Sequence, residues 1–93
     1  ARQVRVTTRK HIEVARLVTD HTKRPVVVSK QQKYHGDIDM WEDVWVLTFA
    51  TTRLEEAAIA EEIEEIDPMA NITFADIANL HGPLAERIAN GHH

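Results

Sequence analysis

Short stretches of alternating apolar and polar residues are separated along this chain by segments with apolar residues three or four positions apart. Residues 4–8, Val-Arg-Val-Thr-Thr, alternate and predict a strand. Thr8 is suited to cap a helix over about residues 9–21, with Ile12, Ala15 and Leu17 or Val18 on its apolar face. Lys23-Arg24-Pro25 ends that helix, and Pro25 opens a second strand over residues 26–29. The polar residues 30–42 read as a long connection, followed by the most apolar strand at residues 43–50. Thr52 and Glu55 have the spacing of a capping box. They start a second helix over about residues 53–66, with Leu54, Ala57 and Ala58 turned inward. Pro68 cannot continue a helix and pushes Asp67 out of the α region, so the chain turns directly into a last strand at residues 71–75. Beyond it, Asp76 caps a short turn ending near Gly82, and Pro83 begins a final short helix with Leu84 and Ile88 on one side.

The order β-α-β-β-α-β predicts an α+β, ferredoxin-like domain: one antiparallel sheet with two helices on one face, plus a short helical appendix at the C-terminus. Residues 1–90 read as a single domain. The core is expected to contain Val6, Ile12, Val28, Leu47, Phe49, Ile63, Ile72 and Phe74. The third strand is apolar on both sides, with Trp45, Leu47 and Phe49 on one and Val44 and Val46 on the other. Two helices cover only one side, so the other calls for the appendix, another domain or a second copy of the chain. A homo-oligomer is the expectation that follows.

Composition narrows the function. The chain has 93 residues, 43% of them hydrophobic, which suffices for one small core of thin stability margin. Its net charge of −4, with lysines and arginines scattered rather than striped, argues against nucleic acid as a partner. Without cysteine there is neither a disulfide framework nor a cysteine zinc site, which is compatible with the cytoplasm. No apolar run approaches the ~20 residues that span a bilayer. Ala1 without a preceding Met is read as either a processed start or an excised piece, and residues 91–93 as a tag remnant.

No phosphate loop, dinucleotide fingerprint, nucleophile elbow or zinc-protease motif is present, and Ser29, the only serine, has no identifiable base. The chain is therefore read as non-catalytic and without a cofactor. Long connections often carry function, so the candidate ligand-binding residues lie between the second and third strands: Lys30, Lys33, Tyr34, His35, Gly36 and Asp37. The lysines suit an anionic, nucleotide-like ligand, Tyr34 offers a stacking face, and Gly36 allows close backbone approach. A rival reading takes His35, Asp37 and Asp39, which alternate, as ligands for a divalent metal. A third makes the chain an interaction or oligomerisation module, docking through its apolar sheet face or through the acidic helix bearing Glu55, Glu56, Glu61, Glu62, Glu64 and Glu65.

The closing cluster Glu65-Ile66-Asp67-Pro68, with Ala70, Ile72, Asp76 and Gly82, resembles the end of the C-terminal domain of bacterial YitT-type membrane proteins. Tyr34-His35-Gly36 is similar to that family's Tyr-Thr-Gly. The resemblance implies a cytoplasmic, PII-like regulatory domain of unknown function, either attached to a membrane domain outside this chain or free-standing, with ligands near the connection between the second and third strands.

Overall fold

A computed structural model of the protein describes residues 2–76. The elements are β1 (Arg2–Thr8), α1 (His11–Thr22), β2 (Val27–His35), β3 (Met40–Thr51), α2 (Arg53–Ile66) and β4 (Asn71–Asp76). They build one four-stranded sheet in the order β2-β3-β1-β4, antiparallel throughout. This is the ferredoxin-like α+β arrangement that the order of elements predicts. The appendix, the tag remnant and the C-terminal limit of the domain lie outside the described residues.

The register explains the core. It sets Val4 opposite Phe49 and Phe74, and Val6 opposite Leu47 and Ile72. Val4, Val6, Leu47 and Phe49 thus form one apolar patch, on which Val14 and Val18 of α1 and Ile59 and Ile63 of α2 pack. Each such side chain withdrawn from water stabilises the fold by roughly 1.5–3 kcal/mol. Ile12 is 53% exposed. It precedes Val14 by two positions, which on a helix is roughly 200° around the axis. Leu54, expected inward, is almost fully exposed for the same reason: nine residues place it about 180° from Ile63. Val28 shares the core face but lies on the edge strand β2, where it is half-covered.

Both helices stop for local reasons. Lys23 adopts a left-handed conformation (φ 56°) and its N–H returns to the Thr19 carbonyl at 2.9 Å. After α2, Asp67 is extended, and the Ala70 N–H bonds its carbonyl at 3.1 Å. Asp67-Pro68-Met69-Ala70 is thus a β-turn with Asp first and Pro second, the positions these residues favour. At the start of α2, the Glu55 carboxylate accepts the Thr52 N–H at 3.1 Å and the Thr52 hydroxyl at 2.9 Å.

The connection between β2 and β3 is shorter than the sequence suggests. β2 continues to His35 and β3 starts at Met40, leaving a turn at residues 36–39. The Ile38 N–H meets the His35 carbonyl at 3.3 Å, and Asp39 closes the turn at φ 48°, a conformation Asp tolerates. Five pairs, from Gln31 opposite Val44 to His35 opposite Met40, extend past the part of β3 that pairs with β1, which is residues 45–51. They form a two-stranded ribbon projecting beyond the sheet. Its strands do not alternate apolar with polar because neither side is packed on a core. Polar residues hold a ribbon through backbone bonds and cross-strand pairs.

On the helix-free side of β3, Val46, Thr48 and Ala50 are also buried. Within β3, the unburied apolar surface is therefore on the ribbon rather than along the body of the strand. Ile38, Met40, Trp41 and Tyr34 are exposed there, Trp41 at 63%.

Candidate functional site

The ribbon, the β1–α1 junction and the turn after α2 enclose a cleft of about 590 Å³, lined by Thr7, Thr8, Arg9, Lys10, Lys33, Glu42, Val44, Asp67, Pro68, Met69 and Asn71. Antiparallel register fixes which side chains share this side. Lys33 is opposite Glu42, and Thr7 is opposite both Val46 and Asn71. The cleft opens on the helix-free side, where the ribbon leaves the sheet.

Asp67 is its most constrained group. It is buried, and its carboxylate accepts the Thr8 hydroxyl at 2.6 Å and the Met69 N–H at 3.0 Å. The Thr8 hydrogen bond holds its pKa below the ordinary carboxylate value against the opposing effect of burial, with help from the Met69 N–H, Lys10 and the Arg9 N–H. Thr8 in turn accepts the Lys10 N–H at 3.0 Å, so its hydroxyl fixes the chain before α1 rather than serving as the helix cap. The Lys10 ammonium donates to the Ile66 carbonyl at 2.9 Å, at the end of α2 where a cation is favoured. Arg9 crosses to the ribbon and pairs with Glu42. Lys33 forms neither an ion pair nor a side-chain hydrogen bond among the described residues.

The candidate residues between β2 and β3 divide between the two sides of the ribbon. Lys30 and Tyr34 lie on the helix side. The Lys30 ammonium is 5.9 Å from the centre of the Trp45 ring and 3.4 Å from the Asp43 carboxylate. Tyr34 packs on Trp41 with ring centres 4.9 Å apart and donates its hydroxyl to Asp39 at 2.8 Å, which raises the phenol pKa. Lys33 and His35 lie on the other side, with His35 Nε2 3.8 Å from the Glu42 carboxylate. Gly36 and Asp37 are exposed in the turn, and a Cβ on Gly36 would meet the Tyr34 ring at an ordinary 3.5 Å. Only Lys33 of the six lines the cleft. Among the described residues no three His, Asp or Glu side chains gather as a metal set. Asp39, one of the expected ligands, is instead the acceptor for Tyr34.

Arg9, Lys10, Val44, Asp67, Met69 and Asn71 are cleft residues that the sequence does not bring together. Asp67 and Pro68 stand out in the sequence as a turn, but nothing local relates that turn to Lys33. On the helix side of β3 the His11 ring stacks on Trp45 at 4.2 Å, with its planes 7° apart, a contact that is also non-local.

These features define an α+β, ferredoxin-like domain with a protruding β2–β3 ribbon and a mixed-charge cleft at its foot. Solved structures that share the fold include two CutA proteins. One is CutA1 from Pyrococcus horikoshii, with a TM-score of 0.71 and 10% identity over 98% of this chain and 97% of that one. The other is CutA from Synechococcus elongatus PCC7942 complexed with a Bis-Tris molecule, with a TM-score of 0.62 and 13% identity over 97% and 91%. At these identities the likeness is one of fold. No protein-family model matches the chain, and no curated protein matches it in sequence. The resemblance to the YitT C-terminal domain is thereby overturned, along with the PII-like label: the structural neighbours are CutA proteins. The cluster that carried it has a local explanation, since Ile66-Asp67-Pro68 encodes a helix stop and a β-turn wherever a helix must enter a strand. Among the described residues, no helix is long and apolar enough to cross a membrane.

Proposed function

We propose that this is a non-catalytic regulatory domain that works by self-association, the ribbon of one copy docking on a second. The observation that carries this reading is the ribbon itself. Two strands without a third are marginally stable in water, yet this pair extends past the sheet and exposes Tyr34, Ile38, Met40 and Trp41 at its end. Aromatic residues and Met are enriched where proteins meet. Charge favours a second copy as the partner. Glu61, Glu64 and Glu65 are exposed on α2, while Arg5, Arg16 and Lys33 are exposed on β1, α1 and β2, and none of the six is paired among the described residues. The chain thus carries complementary surfaces of its own. The absence of a paired nucleophile and base in the sequence supports the non-catalytic part, and a cytoplasmic setting, compatible with a cysteine-free chain, completes the reading.

Sedimentation velocity over a range of concentrations tests it. The wild-type chain is expected to sediment as an oligomer, and Trp41→Ser to shift it toward monomer with an unchanged circular dichroism spectrum. A wild-type monomer at every concentration, or an oligomer indifferent to Trp41→Ser, would sink the proposal.

A further inference from the structure

We infer that the cleft at the foot of the ribbon binds a small organic anion, with the Lys33 ammonium holding its charged group. This gives the proposed regulatory domain its ligand. The volume, about 590 Å³, falls within the ~300–1,000 Å³ of small-molecule sites.

The uncommitted charge in the cleft has one sign. Three cations line it, Arg9, Lys10 and Lys33, against two carboxylates, Glu42 and Asp67. Asp67 is occupied by the Thr8 hydroxyl and the Met69 N–H. Glu42 is paired with Arg9. Lys10 is spent on the Ile66 carbonyl. Lys33 alone keeps its ammonium free among the described residues, so the cleft offers a positive charge and no unspent negative one.

The rest of the lining shapes the ligand. Val44, Pro68 and Met69 give an apolar wall, and Met69 is 90% exposed, open to be covered. A thioether adapts to flat or irregular partners. The chemistry that fits is a phosphate or carboxylate attached to a planar or apolar body. Inorganic anions satisfy only half of it. The ligand would also bridge two parts of the fold, since Lys33 and Val44 belong to the ribbon and Met69 to the turn after α2.

The test titrates the full chain calorimetrically with adenosine monophosphate, benzoate and inorganic phosphate. At least one organic probe is expected to bind more tightly than inorganic phosphate. Binding of the nucleotide alone assigns the head group as phosphate, and of benzoate alone as carboxylate; either supports the site. Lys33→Ala should weaken that binding about 10- to 100-fold, the size of a charge-assisted hydrogen bond. Lys33→Arg should restore most of it. Lys30→Ala, on the opposite side of the ribbon, should leave it unchanged. Repeating the titration with Trp41→Ser separates this inference from self-association, because Trp41 does not line the cleft: binding that survives in a monomer supports the site whatever becomes of the oligomer. No binding by either organic probe, equal binding by inorganic phosphate, or equal losses in Lys30→Ala and Lys33→Ala would overturn it.

Discussion

Asp67 shows how one side chain ties several parts of this fold together. Its backbone ends α2 and begins the turn into β4, while its carboxylate reaches β1 through Thr8. A carboxylate so bound is worth more ionised than protonated, which is why its pKa is lowered. In the unfolded chain the same group binds a proton more readily, so its contribution is complete above the ordinary carboxylate range. It is lost as pH falls through the depressed folded value. Asp67→Ala leaves the buried Thr8 hydroxyl without its acceptor and should cost about 1–3 kcal/mol near neutral pH. Urea titrations of the two proteins at successively lower pH should show the gap closing under acid. A gap that stays constant would mean the carboxylate charge plays no part.

The ribbon is the element that sets this chain apart from a minimal four-stranded sheet. The inner part of the β2–β3 hairpin is backed by β1, but in the ribbon residues 40–44 of β3 pair with β2 alone. The ribbon's side-chain ties are at the surface, among them the Tyr34–Trp41 pair, the Gln32–Asp43 hydrogen bond and the Arg9–Glu42 ion pair. Local opening requires less when fewer neighbours must separate. In hydrogen exchange on dilute protein, amides of residues 31–35 and 40–44 should exchange well before those of residues 45–50. If the two sets are equally protected, the ribbon is held by something other than its own pairing. The same measurement at high concentration should slow the ribbon selectively if a second copy docks there.

The sheet and two helices share one core cluster, in which Phe49 is fully buried. Truncating Phe49 to Ala leaves a cavity in that cluster and should cost about 3–5 kcal/mol in a denaturant titration. For a domain of this size that is a large share of the total, which is typically about 5–15 kcal/mol. A loss under 1 kcal/mol would show that the helices do not pack as described. At the far end from the cleft, Arg2 joins Glu56 and Asp76, and Arg24 joins Glu55. The first turn of the acidic helix is thus knitted to the sheet, and only its outer carboxylates face solvent.

The order of elements, the stop at Asp67-Pro68 and the start at Thr52 with Glu55 are legible in the sequence because each rests on neighbours a few residues apart. So is the division of β3 into two apolar sides, which follows from the period of a strand. The extent of the ribbon is not legible: Lys30 to His35 are too polar to announce a strand, and they become one only because β3 supplies a partner in register. The inward faces of the helices are half legible. Ile63 and Val18 are where periodicity puts them, but Ile12 and Leu54 face water because the sheet fixes how each helix rolls. The cleft belongs wholly to the folded chain. Lys33, Arg9 and Met69 are far apart in sequence, and the long-range pairing of β1 with β3 and β4 is what carries them to one place.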